Sequence, residues 1–354
     1  MCIRAAHRVC LLGLSLLLLP RVDRADTLLV ANKSDDTVDL IDLDTGRSAA
    51  TLPTGHAPHE IAVSRNGSTA VVTNYGSREI PGNTLTVVDV QLARVSRTLE
   101  LGDHTRPHGV VFVAEHRVAV TAEGSAHLLV VDLQTGQIVT AIATDQKSSH
   151  MVATVPDSSR VFVANIGSGT VSVIDLEKDV KLSDIATGEG AEGIAVTPDG
   201  SELWVGNRAA DTLTIIDPTS LEILATLPCP GFPIRIAFAP DGSRALVSAA
   251  QSGEVVVFDT HQRLEIRRTK LDLSNAPDAS RRLFGDRFGD SPVPVGLVIS
   301  PSGTTAWVAA TQADAVVVIE PEVLVVRDLL RAGREPDGMA FSPMEVVHPQ
   351  SSDH

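Results

Sequence analysis

The stretch "VANIGSGTVSVIDLEKDVKLSDIATGEGAEGIAVTPDGSELWVGN", residues 163–207, decides the fold. It opens on an apolar run that ends in Asn165 and crosses a glycine-rich turn into "TVSVID". A second polar turn leads to a mixed segment, and "AEGIAV" then meets Asp199-Gly200 before the opening recurs as "LWVGN". Short runs rich in β-branched residues and bounded by turn residues predict strands. Asp-Gly between such runs predicts a hairpin, because glycine accepts the positive φ of a tight turn. Four strands therefore fit into one unit.

Outward from this unit, an acidic residue closes a β-rich segment at Asp42, Asp89, Asp132, Asp175, Asp217, Asp259 and Glu320, in steps of 47, 43, 43, 42, 42 and 61 residues. A period near about 40–45 residues is that of a propeller blade, so the long steps contain insertions. The recurring acid fits a role in closing the turn after it. The unit resembles the YVTN-type β-propeller repeat of YncE-like and surface-layer proteins, from about residue 26 to about residue 342. The resemblance implies an all-β, seven-bladed β-propeller with four-stranded blades. The chain starts on a "LLVAN" strand and ends on "REPDGMAFSP", the type that elsewhere precedes the Asp-Gly turn. This offset predicts a ring closed by the C-terminal inner strand joining three N-terminal strands, which leaves only short edges.

Composition sets the surroundings. With 43% hydrophobic residues but one tyrosine and two tryptophans in 354 residues, the core must be aliphatic. Arg4 and Arg8 precede an apolar run at residues 10–20, and Ala25 offers a small residue for cleavage, so residues 1–25 are expected to be a Sec-type signal peptide. Asp23 is a poor residue two positions before the cut, which keeps an uncleaved anchor as the alternative. The expected organisation is a signal peptide at 1–25, a propeller at 26–345 and a disordered tail at 346–354, in a periplasmic or secreted protein with no transmembrane segment in the mature chain. Without residues 1–25 the chain holds 25 basic and 43 acidic side chains, a formal charge of −18. Such a surface argues against nucleic-acid binding, which needs clustered Lys and Arg. Cys229 is the one cysteine left, so no intrachain disulfide is expected.

Histidine returns at one phase of the repeat. Aligned by blade, the residue that leads each inner strand is His59, His108, His150, Glu192, Ile234, Val295 and Asp337. Three imidazoles and a carboxylate suit a divalent transition metal, so His59, His108, His150 and Glu192 form a candidate metal set. Histidines around a seven-bladed mouth are similar to those of nitrous oxide reductase, whose full ligand set this sequence lacks. The competing reading is that these histidines hydrogen-bond loop carbonyls.

"PHEIAV" and "TRPHGVVF" also resemble the blade openings of lactonase-type propellers, which include 6-phosphogluconolactonases and muconate cycloisomerases. That likeness implies a hydrolase or isomerase acting on a small anionic substrate, with His108 and Glu192 as candidate catalytic residues and Arg106 and Arg235 as anion-binding residues. Two insertions, at residues 74–84 and 271–294, are expected on the same face. The second carries Arg281, Arg282 and Arg287 with Phe284 and Phe288, and predicts a partial lid that binds an anion. A binding scaffold for a small anionic ligand or another exported protein is the leading functional expectation. No phosphate loop, nucleophile elbow, cysteine metal pair or haem-attachment motif is present.

Overall fold

The computed structural model describes residues 26–273 and 285–347. Over that range the chain forms seven four-stranded antiparallel sheets. Blade 1 takes Thr27–Asn32, Thr37–Asp42, Arg47–Pro53 and, as its inner strand, Pro336–Ser342; blades 2 to 7 are contiguous at 58–100, 107–143, 149–186, 191–228, 233–270 and 294–331. Each inner strand touches the inner strands of the neighbouring blades, so they form a ring about a central axis.

The repeated residues have physical roles. The asparagine that ends the second strand is buried in four blades, and its amide donates to hydroxyls of the third strand, as Asn207 does to Thr212 (3.0 Å) and Thr214 (2.9 Å). Gly188 leaves room for it: a Cβ there would lie 2.8 Å from the Asn207 side chain. The recurring acid closes its turn, with Asp42 Oδ1 accepting from the Thr45 amide at 2.8 Å and Asp132 accepting from that of Thr135 at 2.9 Å.

Apolar faces are buried between blades. Trp204 of blade 5 is fully buried against Ala245, Val247 and Phe258 of blade 6, and Trp307 of blade 7 packs on Leu28, Val30 and Phe341 of blade 1. The clasp continues past its strand: the Thr27 hydroxyl donates to the Met344 carbonyl at 2.6 Å, Val346 is buried against blades 1 and 2, and the Val347 amide donates to Gln91 at 2.8 Å. The packed chain thus reaches two residues into the segment expected to be a tail. The insertion at 74–84 is an extended hairpin, since strands Thr69–Gly76 and Pro81–Asp89 lengthen around it. No helix among the described residues is long and apolar enough to cross a membrane.

Candidate functional site

One local backbone device recurs in all seven blades. Two residues before each mouth position the chain takes a positive φ, at Ala57, Arg106, Ser148, Gly190, Phe232, Val293 and Glu335. Each inner strand then carries one more residue than its partner, and the extra residue falls at the mouth position. A bulge bends the strand and re-aims a side chain. The sequence supports it with glycine in the next position of four blades: a Cβ on Gly109 would lie 2.5 Å from the His150 carbonyl, and one on Gly338 would lie 2.1 Å from that of His59. Hydroxyls hold the same carbonyls from the neighbouring blade, with Thr73 donating to His108 at 2.8 Å and Ser248 to Val295 at 2.9 Å.

The bulges bring His59, His108 and His150 together. Ring centres of His59 and His108 are 4.8 Å apart edge-on, and those of His108 and His150 are 3.4 Å apart. All three are buried, as are Glu192 and Asp337. His59 Nδ1 donates to the Ala57 carbonyl at 3.0 Å, the loop-carbonyl role weighed above. His150 lies between two carboxylates, with Nδ1 on Glu123 and Nε2 3.3 Å from Glu192. Tyr75, stacked on His59 at 4.5 Å, donates its hydroxyl to Glu123 at 2.6 Å. Arg235 spans the channel: Nη2 pairs with Glu60 of blade 2, and Nη1 lies 3.2 Å from Glu192 of blade 5. Asp337 faces Lys33 at 3.5 Å, and Glu192 also pairs with Arg208. Among the described residues two buried polar atoms of this cluster have no partner, His108 Nδ1 and Arg235 Nε.

Electrostatics separates these groups. Burial pushes His59 down to about 3 and His108 well below the usual imidazole range, the latter aided by the cationic neighbours His150 and Arg235. Burial also opposes the charged form of His150, yet Glu123 and Glu192 outweigh it and raise its pKa. For Glu192 burial is overcome by His150, Arg208 and Arg235, which hold it down to about 2. Glu60 is raised, because burial and nearby Asp337 outweigh its ion pair with Arg235. The cluster therefore pairs two neutral imidazoles with a network of fixed charges.

Glu60, Lys33, Tyr75, Glu123 and Arg208 escaped the sequence reading. Four of the five sit at one repeat position, directly after the residue equivalent to Asn207, where the series is Lys33, Tyr75, Glu123, Ile166, Arg208, Ala250 and Thr311. The alignment that isolated the histidines would have found this second ring.

The rim completes the picture. Ile234 and Val295, the apolar mouth residues, pack with Phe232, Ala250, Val293 and Phe288 of the second insertion, which forms a short 3-10 turn at Gly285–Phe288. Arg281, Arg282 and Phe284 lie outside the described residues. The Arg287 guanidinium lies over Phe232 and Phe288, at 5.6 and 5.3 Å from the ring centres. Arg106 lies over Tyr75 at 5.2 Å and donates to the Arg78 carbonyl at 3.3 Å. Of the expected anion-binding residues, Arg235 is committed to two carboxylates inside the channel, whereas Arg106 and Arg287 remain on the rim.

The expected metal set does not fit the geometry. His150 has both nitrogens on carboxylates, and His59 has one on a carbonyl. Among the described residues no group of three or more His, Cys, Asp or Glu side chains is arranged to hold a metal ion. On the opposite face a cleft of about 1240 Å³ opens between the hairpins of blades 2, 3 and 4, lined by Arg65, Phe112, His116, Pro156 and Leu176 among others. It lies away from the buried ionisable cluster, so the chemistry of the site belongs to the histidine face.

No curated protein matches this sequence. Two solved structures are similar: Kuenenia stuttgartiensis hydrazine synthase, at 19% identity and a TM-score of 0.70 over 84% of this chain and 93% of that chain, and a functionally unknown protein from Desulfotomaculum acetoxidans, at 16% identity and a TM-score of 0.73 over 91% of this chain and 100% of that one. At these identities the likeness concerns the fold alone. Residues 114–283 match the model of the YNCE-like beta-propeller family, and the same blade continues around the rest of the ring. The protein is a seven-bladed β-propeller that over those residues is similar to the YNCE-like family.

Proposed function

We propose that this propeller is an exported binding protein that takes a small anionic ligand at its histidine-bearing mouth. One observation carries the reading: the carboxylates of the mouth are fixed by cationic partners, and His59, His108 and Glu192 are all held well below neutrality. A general base works best with a pKa near the working pH. His108 lies well below that range, and Glu192 is held at about 2 with cationic partners on both oxygens. Such groups are poor acid–base catalysts but a rigid, preorganised floor for binding. The hairpin at 74–84 and the Phe288 segment add rim to this same face, where a scaffold positions recognition loops.

Binding of a panel of small carboxylates and hydroxy acids, measured calorimetrically beside a lactone-hydrolysis assay, tests this. The expected result is saturable binding without turnover, weakened by His108→Gln at unchanged melting temperature. Turnover abolished by His108→Gln would instead favour the lactonase-like reading. Stoichiometric metal in the purified protein, found by elemental analysis, would contradict the donor geometry described above. Export is checked by the N-terminal mass of protein from the periplasmic or extracellular fraction, expected to begin at Asp26.

A further inference from the structure

Resting on the binding role of this mouth, we infer that Arg208 and Arg287, placed on Phe232, form a rim site for an anion carried on an aromatic body, an aryl carboxylate or aryl phosphate. Arg208 leaves the second strand of blade 5, Phe232 precedes the inner strand of blade 6, and Arg287 comes from the insertion before blade 7. Their guanidiniums lie 5.0 and 5.6 Å from the centre of the same ring. Two cations on one phenyl ring repel each other, and a bound anion relieves that repulsion. Among the described residues Arg208 has one carboxylate partner, Glu192, and its side chain keeps 26% of its surface exposed; Arg287 is exposed.

The platform is held by the left-handed turn that recurs before every inner strand. Phe232 holds a φ of 70°, a region costly for a bulky side chain, and Asp211 fixes it by accepting from the Phe232 amide at 2.9 Å and the Gly231 amide at 3.1 Å. Behind it, Phe288 sits 5.3 Å away, and both rings rest on Ile234 and Val295. A guanidinium lying on a phenyl ring has its other face free to stack on a second planar group, while its edge presents forked donors to carboxylate or phosphate. The geometry thus selects for an anion and an aromatic surface together. Glu192 links the rim to the channel, since it pairs with Arg208 on one side and with Arg235 and His150 on the other.

Calorimetric titration with benzoate, phenyl phosphate, acetate, inorganic phosphate and benzamide tests the assignment, on wild type and on Arg208→Gln and Arg287→Gln. Benzoate or phenyl phosphate should bind at least about tenfold more tightly than acetate, inorganic phosphate and benzamide, and the better of the two names the anion. Either substitution should weaken that binding at least about fivefold and flatten its salt dependence. Arg287→Gln touches no channel pair, so it serves as the variant whose fold is secure. Binding of the aryl anions that both variants retain would overturn the rim site and leave the mouth reading in place. Equal binding of acetate and benzoate would overturn the aromatic selection. If none of the five probes binds while the hydroxy-acid panel does, the rim assignment fails alone; if neither set binds, both readings fail.

Discussion

Arg235 shows how much of the mouth depends on single side chains. Its guanidinium joins Glu60 and Glu192 from different blades and is itself buried. Removing one member of a buried ion pair leaves an uncompensated charge, whereas replacing the pair by apolar groups is often neutral. Arg235→Met should therefore cost about 3–5 kcal/mol in urea unfolding. Adding Glu60→Met should restore much of it, because Glu192 keeps Arg208 and His150; equal losses in the single and double variants would show that the pair is not coupled. The histidines make a second prediction, with opposite signs. His59 and His108 have depressed affinities, so the unfolded chain binds protons that the folded one refuses, and stability falls as pH drops below about 6.5. Each contributes a slope on the order of 1 kcal/mol per pH unit in that window. His150 is raised, so its stabilisation is complete below about 6.5 and is lost as pH rises through its folded value. Stability measured against pH should lose part of its acid limb in His108→Gln and part of its alkaline limb in His150→Gln, and unchanged profiles would remove these assignments.

Strands, hairpins and blade count were legible at the scale of the element, because they rest on local alternation and on turn residues such as Asp199-Gly200. The left-handed residue and the bulge were not. Positive φ falls on Ala57, Ser148, Val293 and Glu335, residue types that do not announce it, and a one-residue bulge leaves no trace in apolar alternation. What forces the conformation is tertiary: inner strands crowd at the axis, where Gly109 and Gly338 meet the next blade's carbonyls. Ser148 gives a clean test, since its carbonyl serves the turn by accepting from the Ile166 amide at 3.0 Å. Ser148→Gly should leave the melting temperature unchanged or raise it by relieving up to about 1 kcal/mol, whereas Ser148→Val should cost about 1–2 kcal/mol. If valine is tolerated as well as glycine, the left-handed turn does not hold the ring.

The whole molecule is a closed circle whose first and last strands lie over 300 residues apart in sequence and pair directly. Its closure was readable from the phase of the repeat, which set the termini one strand out of step. The links across the channel were not, because Arg235 and Glu60 are 175 residues apart and no local pattern selects one partner over another. The histidine ring lay between these extremes, visible once the blades were aligned, although its partners Glu123 and Tyr75 required the structure. Closure is also where much of the stability should reside. Pro336–Ser342 pairs with Thr27–Asn32, buries Met339 against blades 7 and 1, places Asp337 beside Lys33, and donates from the Ser342 hydroxyl to Gly67 at 2.8 Å. Deleting Arg334 onward strips all of this and exposes Thr27–Asn32 as an unpaired edge, the condition that favours aggregation. The melting temperature should then fall by more than about 10 °C, because a chain of this size loses roughly 2–4 °C per kcal/mol and a buried strand supplies several. Deletion from residue 348, which leaves Val346 in the core and Val347 bonded to Gln91, should change it by less than about 1 °C. Scanning calorimetry and light scattering on the two truncations read both effects, and similar melting with no gain in aggregation would mean that the ring stays shut without its last strand.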